Sequence, residues 1–204
     1  MKADAWRKYL EEQRDRHEKV LFTVTELANV AGVSRAALNV ELSRLRRQEI
    51  IARYAHGLYG LPGAVPPQVL VPAIDSHAYI TAHYALYCHN LVTQAPTAIT
   101  CFTDRRSPRG QDRVTPVGRL VFVCVQSKAY FPPQGAIAPP AQALCDYVYL
   151  SRRLATAPES LVTFRNLARV RDADFPRVLV RYPRSVQEHV ERLLARQESG
   201  SADL

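Results

Sequence analysis

Arg35, Ala36, Asn39, Val40, Ser43, Arg46 and Arg47 recur at intervals that gather them on one side of an α-helix. Their types suit one kind of chemistry. Arginine donates as a fork to guanine or grips phosphate, asparagine can read adenine, and alanine and serine permit a close approach to base edges. Leu38, Leu42 and Leu45 fall on the opposite stripe and predict the buried face. Reaction chemistry finds less support. His77, His83 and His89 recur every six residues, a spacing that scatters them by about 240° on a helix and argues against a shared metal. His89 beside Cys88 lacks two further ligands at suitable spacing. Asp146 would need a second carboxylate or a base, and Asp75, Asp104 and Asp112 lie on distant loops. It reads instead as structural, holding a helix end or pairing with an arginine. With no glycine-rich phosphate loop and no G-x-S-x-G elbow, the expectation is a protein that is not an enzyme and needs no metal or cofactor.

The elements around the arginine-bearing helix are those that could aim it. Thr23-Val24-Thr25-Glu26 forms a capping box. A short helix follows through Leu27, Ala28 and Val30, Gly32 can turn sharply after it, and Val33 is placed to plug the space between helices. Ser34 caps the second helix, which continues to about Gln48. Ile50–Tyr54 and Leu58–Leu61 predict two strands joined by a tight hairpin through Ala55-His56-Gly57. Asp4 to Glu18 reads as a preceding amphipathic helix, with Trp6, Tyr9 and Leu10 on one face and Glu12/Arg16 as an i,i+4 pair. Together these predict a winged helix-turn-helix. The expected DNA-binding set is Thr25, Ser34, Arg35, Ala36, Asn39, Ser43, Arg46 and Arg47, with Arg53, Tyr54 and His56 on the wing. A winged helix used only for protein contacts is the competing reading.

The fold class expected for the whole chain is α+β: residues 1–63 as the winged module, 64–67 as a Pro-rich linker, 68–198 as a second domain and 199–204 as a flexible tail. The second domain reads as mixed α/β, with a small, mostly antiparallel sheet and a helical C-terminus. Thr81 could cap a helix through Cys88 that ends at His89-Asn90. Ala98–Thr103 predicts a strand, Asp104–Arg113 an exposed basic loop, and Leu120–Val125 a central strand covered on both sides. A helix follows Pro140, and a last one spans Ser185–Gln197. Arg105, Arg106, Arg109 and Arg113 could grip nucleic acid flanking the main site, or simply be solvated.

Net charge is +8 across 204 residues, which suits a polyanionic partner. It divides as +3, +2 and +3 over residues 1–63, 64–150 and 151–204, so charge alone does not locate the contact surface. Cys88, Cys101, Cys124 and Cys145 sit apart inside apolar segments and read as buried, reduced thiols. No apolar run approaches a membrane span and no signal peptide core is evident, so a cytoplasmic protein is expected.

Several short segments, taken in order, carry a family resemblance. Gly57-Leu58-Tyr59-Gly60-Leu61-Pro62 closes the wing, Tyr79 to Leu91 runs Y-I-T-A-H-Y-A-L-Y-C-H-N-L, and Thr115-Pro116-Val117-Gly118 and Ala143-Leu144-Cys145-Asp146 follow. In these the chain resembles the AbiEi family of type IV antitoxins over most of residues 20–150, with Glu49 and Asn90 where the family has glycine. The resemblance implies an autorepressor whose winged helix binds inverted repeats of double-stranded DNA upstream of its own operon. It also implies a C-terminal domain that counteracts a nucleotidyltransferase-like toxin, without a stable complex, in phage abortive infection. A module of this size reads a short half-site, so a monomer in solution that pairs on DNA is expected. A protein–protein module and a ligand-responsive regulator remain as alternatives.

Overall fold

The computed structural model describes residues 2–106, 110–126 and 128–200, with side chains as far as Gln197. The chain forms two compact units. One extends to Ile74 and also holds Val114–Gly118; the other holds Asp75–Arg113 and resumes at Arg119.

The first unit begins with α1 (Ala3–His17), which buries Trp6 and Leu10 and ends at Glu18 in the left-handed conformation. The expected Glu12/Arg16 pair is made at 2.8 Å. A two-residue strand, β1 (Phe22–Thr23), leads into α2 (Val24–Ala31), and Gly32 closes that helix with φ 65°. The capping box is formed in both directions: the Glu26 amide donates to Thr23 Oγ1 at 3.2 Å, and the Thr23 amide to Glu26 Oε2 at 2.8 Å. After it come α3 (Arg35–Arg47), β2 (Ala52–Ala55) and β3 (Leu58–Gly60). β3 lies between β1 and β2, antiparallel to both. Leu38, Leu42 and Leu45 pack beneath this sheet with Trp6, Phe22, Leu27, Ile50 and Ile51. Burying each leucine stabilises the unit by about 1.5–3 kcal/mol, enough to hold α3 at a fixed angle.

Three expectations here are corrected. Ile50 and Ile51 precede the wing strand rather than opening it: pairing with β3 starts at Ala52, opposite Gly60, and both isoleucines pack into the core ahead of it. Val33 does not plug the helix–helix space; 38% of it stays exposed, and Gly32 has already turned the chain outward. The second domain does not begin at Gln68. Pro67–Ile74 form α4 in the first unit, with Leu70 and Val71 buried, because proline is well suited to a helix's first turn.

Glu49 and Asn90, the two non-glycine substitutions, both adopt left-handed backbone, at φ 55° and 62°. Asparagine tolerates this region; glutamate does not, since its Cβ crowds the following carbonyl. Glu49→Gly is therefore expected to stabilise the first unit by about 1 kcal/mol, read as a rise in the midpoint of urea unfolding.

In the second unit β4 (Tyr79–Ile80) is followed by α5 (Ala82–Cys88) and β5 (Ile99–Thr103). Next come β6 (Asp112–Thr115) and β7 (Gly118–Cys124), whose shared turn, Val114–Gly118, counts with the first unit, giving the order β4-β5-β7-β6. β4 runs antiparallel to β5, whereas β5 and β7 pair in parallel, because the chain passes over the place of β7 and fills it on returning from β6. β7 is central but not covered on both faces: Leu120 and Phe122 are buried while Val121 and Val123 are half-buried. The basic loop is shorter than expected, since Asp112 and Arg113 already belong to β6.

The core of this unit is α6 (Pro140–Arg153), buried continuously from Ala141 to Val148 and enclosed on all sides, as a central helix must be. Beyond it the chain is less helical than expected. It makes two short 3₁₀ turns and α7 (Phe175–Leu179); Pro158 and Pro176 stand in first turns, where proline is tolerated, and Pro183 falls between α7 and the last helix. The final helix, α8 (Arg184–Gly200), buries Val186, Val190, Leu193 and Leu194 and continues past the expected end at Gln197. Of the expected tail, residues 201–204 lie outside the described residues. No helix among the described residues is long and apolar enough to cross a membrane.

Candidate nucleic-acid interface

Ser34 starts the arginine-bearing helix by accepting the Ala37 amide at 3.3 Å, so its hydroxyl serves the backbone first. From that start the helical period turns Ala36, Asn39, Val40, Ser43, Arg46 and Arg47 to solvent. Arg35 sits in the first turn, where the positive end of the helix dipole disfavours a cation by about 0.3–1 kcal/mol. A bound phosphate would reverse that sign. Its guanidinium donates to Thr25 Oγ1, tying the start of α3 to α2. The Ser43 hydroxyl donates to the Asn39 carbonyl at 2.9 Å, whereas no hydrogen bond among the described residues occupies the Asn39 side-chain amide.

The wing faces the same way. Arg53 Nε donates to the Ala55 carbonyl at 3.2 Å and its Nη2 lies 3.1 Å from His56 Nδ1, so the two side chains brace each other beside the Gly57 turn. Thr25, Arg35, Asn39, Arg53 and His56 line a single groove of about 470 Å³ with no acidic residue among the described residues of its wall. A second, more open depression is lined by Ser43, Arg46, Arg47 and, again, Arg53. Five of the residues read from sequence thus share one concavity, and Arg53 links it to the next.

One expected contact is corrected. Tyr54 is only 2% exposed, and its hydroxyl donates inward to the Leu61 carbonyl at 2.7 Å. Successive side chains of a strand face opposite sides of the sheet, so Arg53 is presented while Tyr54, its neighbour, is turned inward. The groove also takes in Thr23 and Tyr59, which sequence reasoning left out: Thr23 lies in a strand only two residues long, and that strand pairs with the β3 segment that carries Tyr59.

In the second unit the expected auxiliary arginines separate. Arg105 and Arg106 line a cavity together with Arg153 from the end of α6. Arg113 lies with its guanidinium 4.8 Å over the Phe122 ring. Arg109 lies outside the described residues. The three histidines go to separate partners: His77 to Asp104, His83 to the Gln94 carbonyl and His89 to the Ala138 carbonyl. Among the described residues Asp146 meets no arginine. It is fully buried and accepts hydrogen bonds from Thr81 (2.7 Å), Tyr182 (2.7 Å) and Tyr79 (3.2 Å). Thr81 therefore does not cap α5; its hydroxyl is spent on Asp146. All four cysteines are free, but only Cys101 and Cys145 are buried, Cys88 being exposed and Cys124 half-buried.

The first unit, with its helix–turn–helix, three-stranded sheet and outward basic face, is a winged helix-turn-helix. Residues 7–62 match the family described as transcriptional regulator, AbiEi antitoxin, which bears out the resemblance over the N-terminal region. The segments of resemblance beyond Pro62 fall outside that match. No curated protein matches the chain.

Proposed function

We propose that the protein is a sequence-specific DNA-binding autorepressor and the antitoxin of a type IV toxin–antitoxin system, acting in the cytoplasm against a nucleotidyltransferase-like toxin. The observation that carries the repressor half is the groove in which α3 and the wing converge, with Arg35, Asn39, Arg53 and His56 in its wall and no acidic residue among the described residues there. In this reading α3 enters the major groove. Asn39 and Arg47 read base edges, while Arg35, Arg53 and His56 hold phosphates. Two copies occupy an inverted repeat. The antitoxin half rests on the family description of the N-terminal match, and the second unit is its proposed seat.

The test is binding of the full chain to the DNA upstream of its own gene, beside random duplex, over a salt series. Expected are tighter binding to the upstream DNA, a fall in log affinity that is linear in log salt, and stepwise occupancy by two copies. Arg53→Ala is expected to weaken both DNAs alike and to lower the salt slope by about 1. Equal affinity for both DNAs would overturn the repressor reading. Growth rescue on co-expression with the neighbouring toxin tests the antitoxin half, which fails if the full chain gives no rescue.

A further inference from the structure

The second unit contains a cavity of about 510 Å³ whose wall carries Arg105, Arg106 and Arg153 with Gln111, Gln126 and Phe122. Among the described residues its wall has no carboxylate. Asp104, the nearest acidic residue in the chain, is engaged by His77 at 3.0 Å, and neither Arg105 nor Arg106 forms an ion pair among the described residues. Arg153 is fixed in place, donating through Nη1 to the Cys124 carbonyl at 3.2 Å. Three guanidinium groups therefore surround one concavity with no carboxylate among the described residues paired to them. Like charges so arranged repel, and fold stability gives no reason to gather them from two distant parts of the chain.

We propose that this cavity binds a phosphate-bearing small molecule, a nucleotide or polyphosphate held through its phosphates. Guanidinium forks match phosphate oxygens in pairs, and the two glutamine amides supply further donors. The volume lies in the range of small-ligand sites, roughly 300–1,000 Å³. A base would find no stacking platform: Phe122 is 2% exposed and the Arg113 guanidinium already covers its ring. Recognition is thus of phosphate rather than of the base. The site is separate from the groove on the winged helix and does not depend on the repressor reading.

The experiment is calorimetric titration of the full-length protein with inorganic pyrophosphate and with ATP, ionic strength being held constant with KCl. Saturable binding of both is expected. Arg106→Gln should weaken it roughly tenfold, Arg106→Lys less because charge is kept and the fork lost, and Arg47→Ala not at all. Arg106 is the cleaner position, since its side chain is exposed and Arg153 also ties down a carbonyl. Absence of saturable heat, or equal affinity in the wild type and Arg106→Gln, would overturn the proposal. The same protein carrying Asn39→Ala and Arg47→Ala then separates the two sources of phosphate. If random duplex DNA displaces pyrophosphate from it at matched ionic strength, the cavity serves the nucleic-acid backbone and the small-molecule assignment fails.

Discussion

Replacing Asn39 or Arg47 with alanine is expected to cost about 1–3 kcal/mol in discrimination between the cognate site and random DNA, and the pair roughly the sum. Both side chains stand on the exposed face of α3. Among the described residues the Asn39 amide has no partner and Arg47 no ion pair, unlike Arg44, which lies 3.7 Å from Glu41. Their donors are thus available to base edges without breaking anything in the folded protein. Removing them leaves the stability of the unit unchanged, because Leu38, Leu42 and Leu45 hold the helix from the other side. Fluorescence anisotropy on cognate and random duplexes at one salt concentration separates the outcomes. A loss confined to the cognate duplex supports base reading. Equal losses on both duplexes would reassign the two residues to phosphate contact.

The second large effect concerns stability. Asp146→Ala is expected to cost about 3 kcal/mol or more, because it strands the hydroxyls of Tyr79, Thr81 and Tyr182 in the core of the second unit. Asp146→Asn keeps an acceptor and should cost less. The acid also makes stability depend on pH. Burial lifts its carboxyl from the ordinary 3.8 to about 7, the hydrogen bonds from Thr81, Tyr182 and Tyr79 pulling the other way. Between those values the folded protein holds a proton that the unfolded chain has released. Its contribution is therefore complete below about pH 4, falls as pH rises by up to about 1.4 kcal/mol per unit, and is gone above about pH 7. Carboxylates such as Asp112, whose pairing with Arg119 holds it below its usual range, act oppositely at acid pH. The informative quantity is thus the difference between wild type and Asp146→Asn in urea midpoints from pH 4 to 8. That difference should shrink in favour of the variant as pH rises. A difference that stays flat would remove Asp146 as the titrating group.

What the sequence determined by itself was local. The capping box at Thr23 and Glu26, the left-handed turn at Gly32, the stripe of Leu38, Leu42 and Leu45 and the outward face opposite it depend on contacts within a few residues. The period of a helix is enough to read them. For the same reason most of the candidate DNA surface was legible, from Arg35 to Arg47. Tyr54 was not. Alternation sets Arg53 and Tyr54 on opposite faces of β2, but which face turns inward was decided by packing, with the Tyr54 hydroxyl held by the Leu61 carbonyl. Nor was the three-stranded form of the first sheet, since β1 exists only where Phe22 and Thr23 meet Tyr59 and Leu58.

Tertiary structure alone decided the polar interior of the second unit. Asp146 meets Tyr79 and Thr81 from more than sixty positions away in the chain, and Tyr182 from the other direction. A carboxyl that could have paired with an arginine is enclosed by hydroxyls instead, because α6 is covered on every side and no cationic side chain among the described residues reaches it. Arg153 joins Arg105 and Arg106 only because α6 ends near β7, where Cys124 offers its carbonyl. Spacing along a chain fixes which side chains share a helix face. Which faces meet is settled by how the buried surfaces pack, and both Asp146 and the arginine cavity were created there.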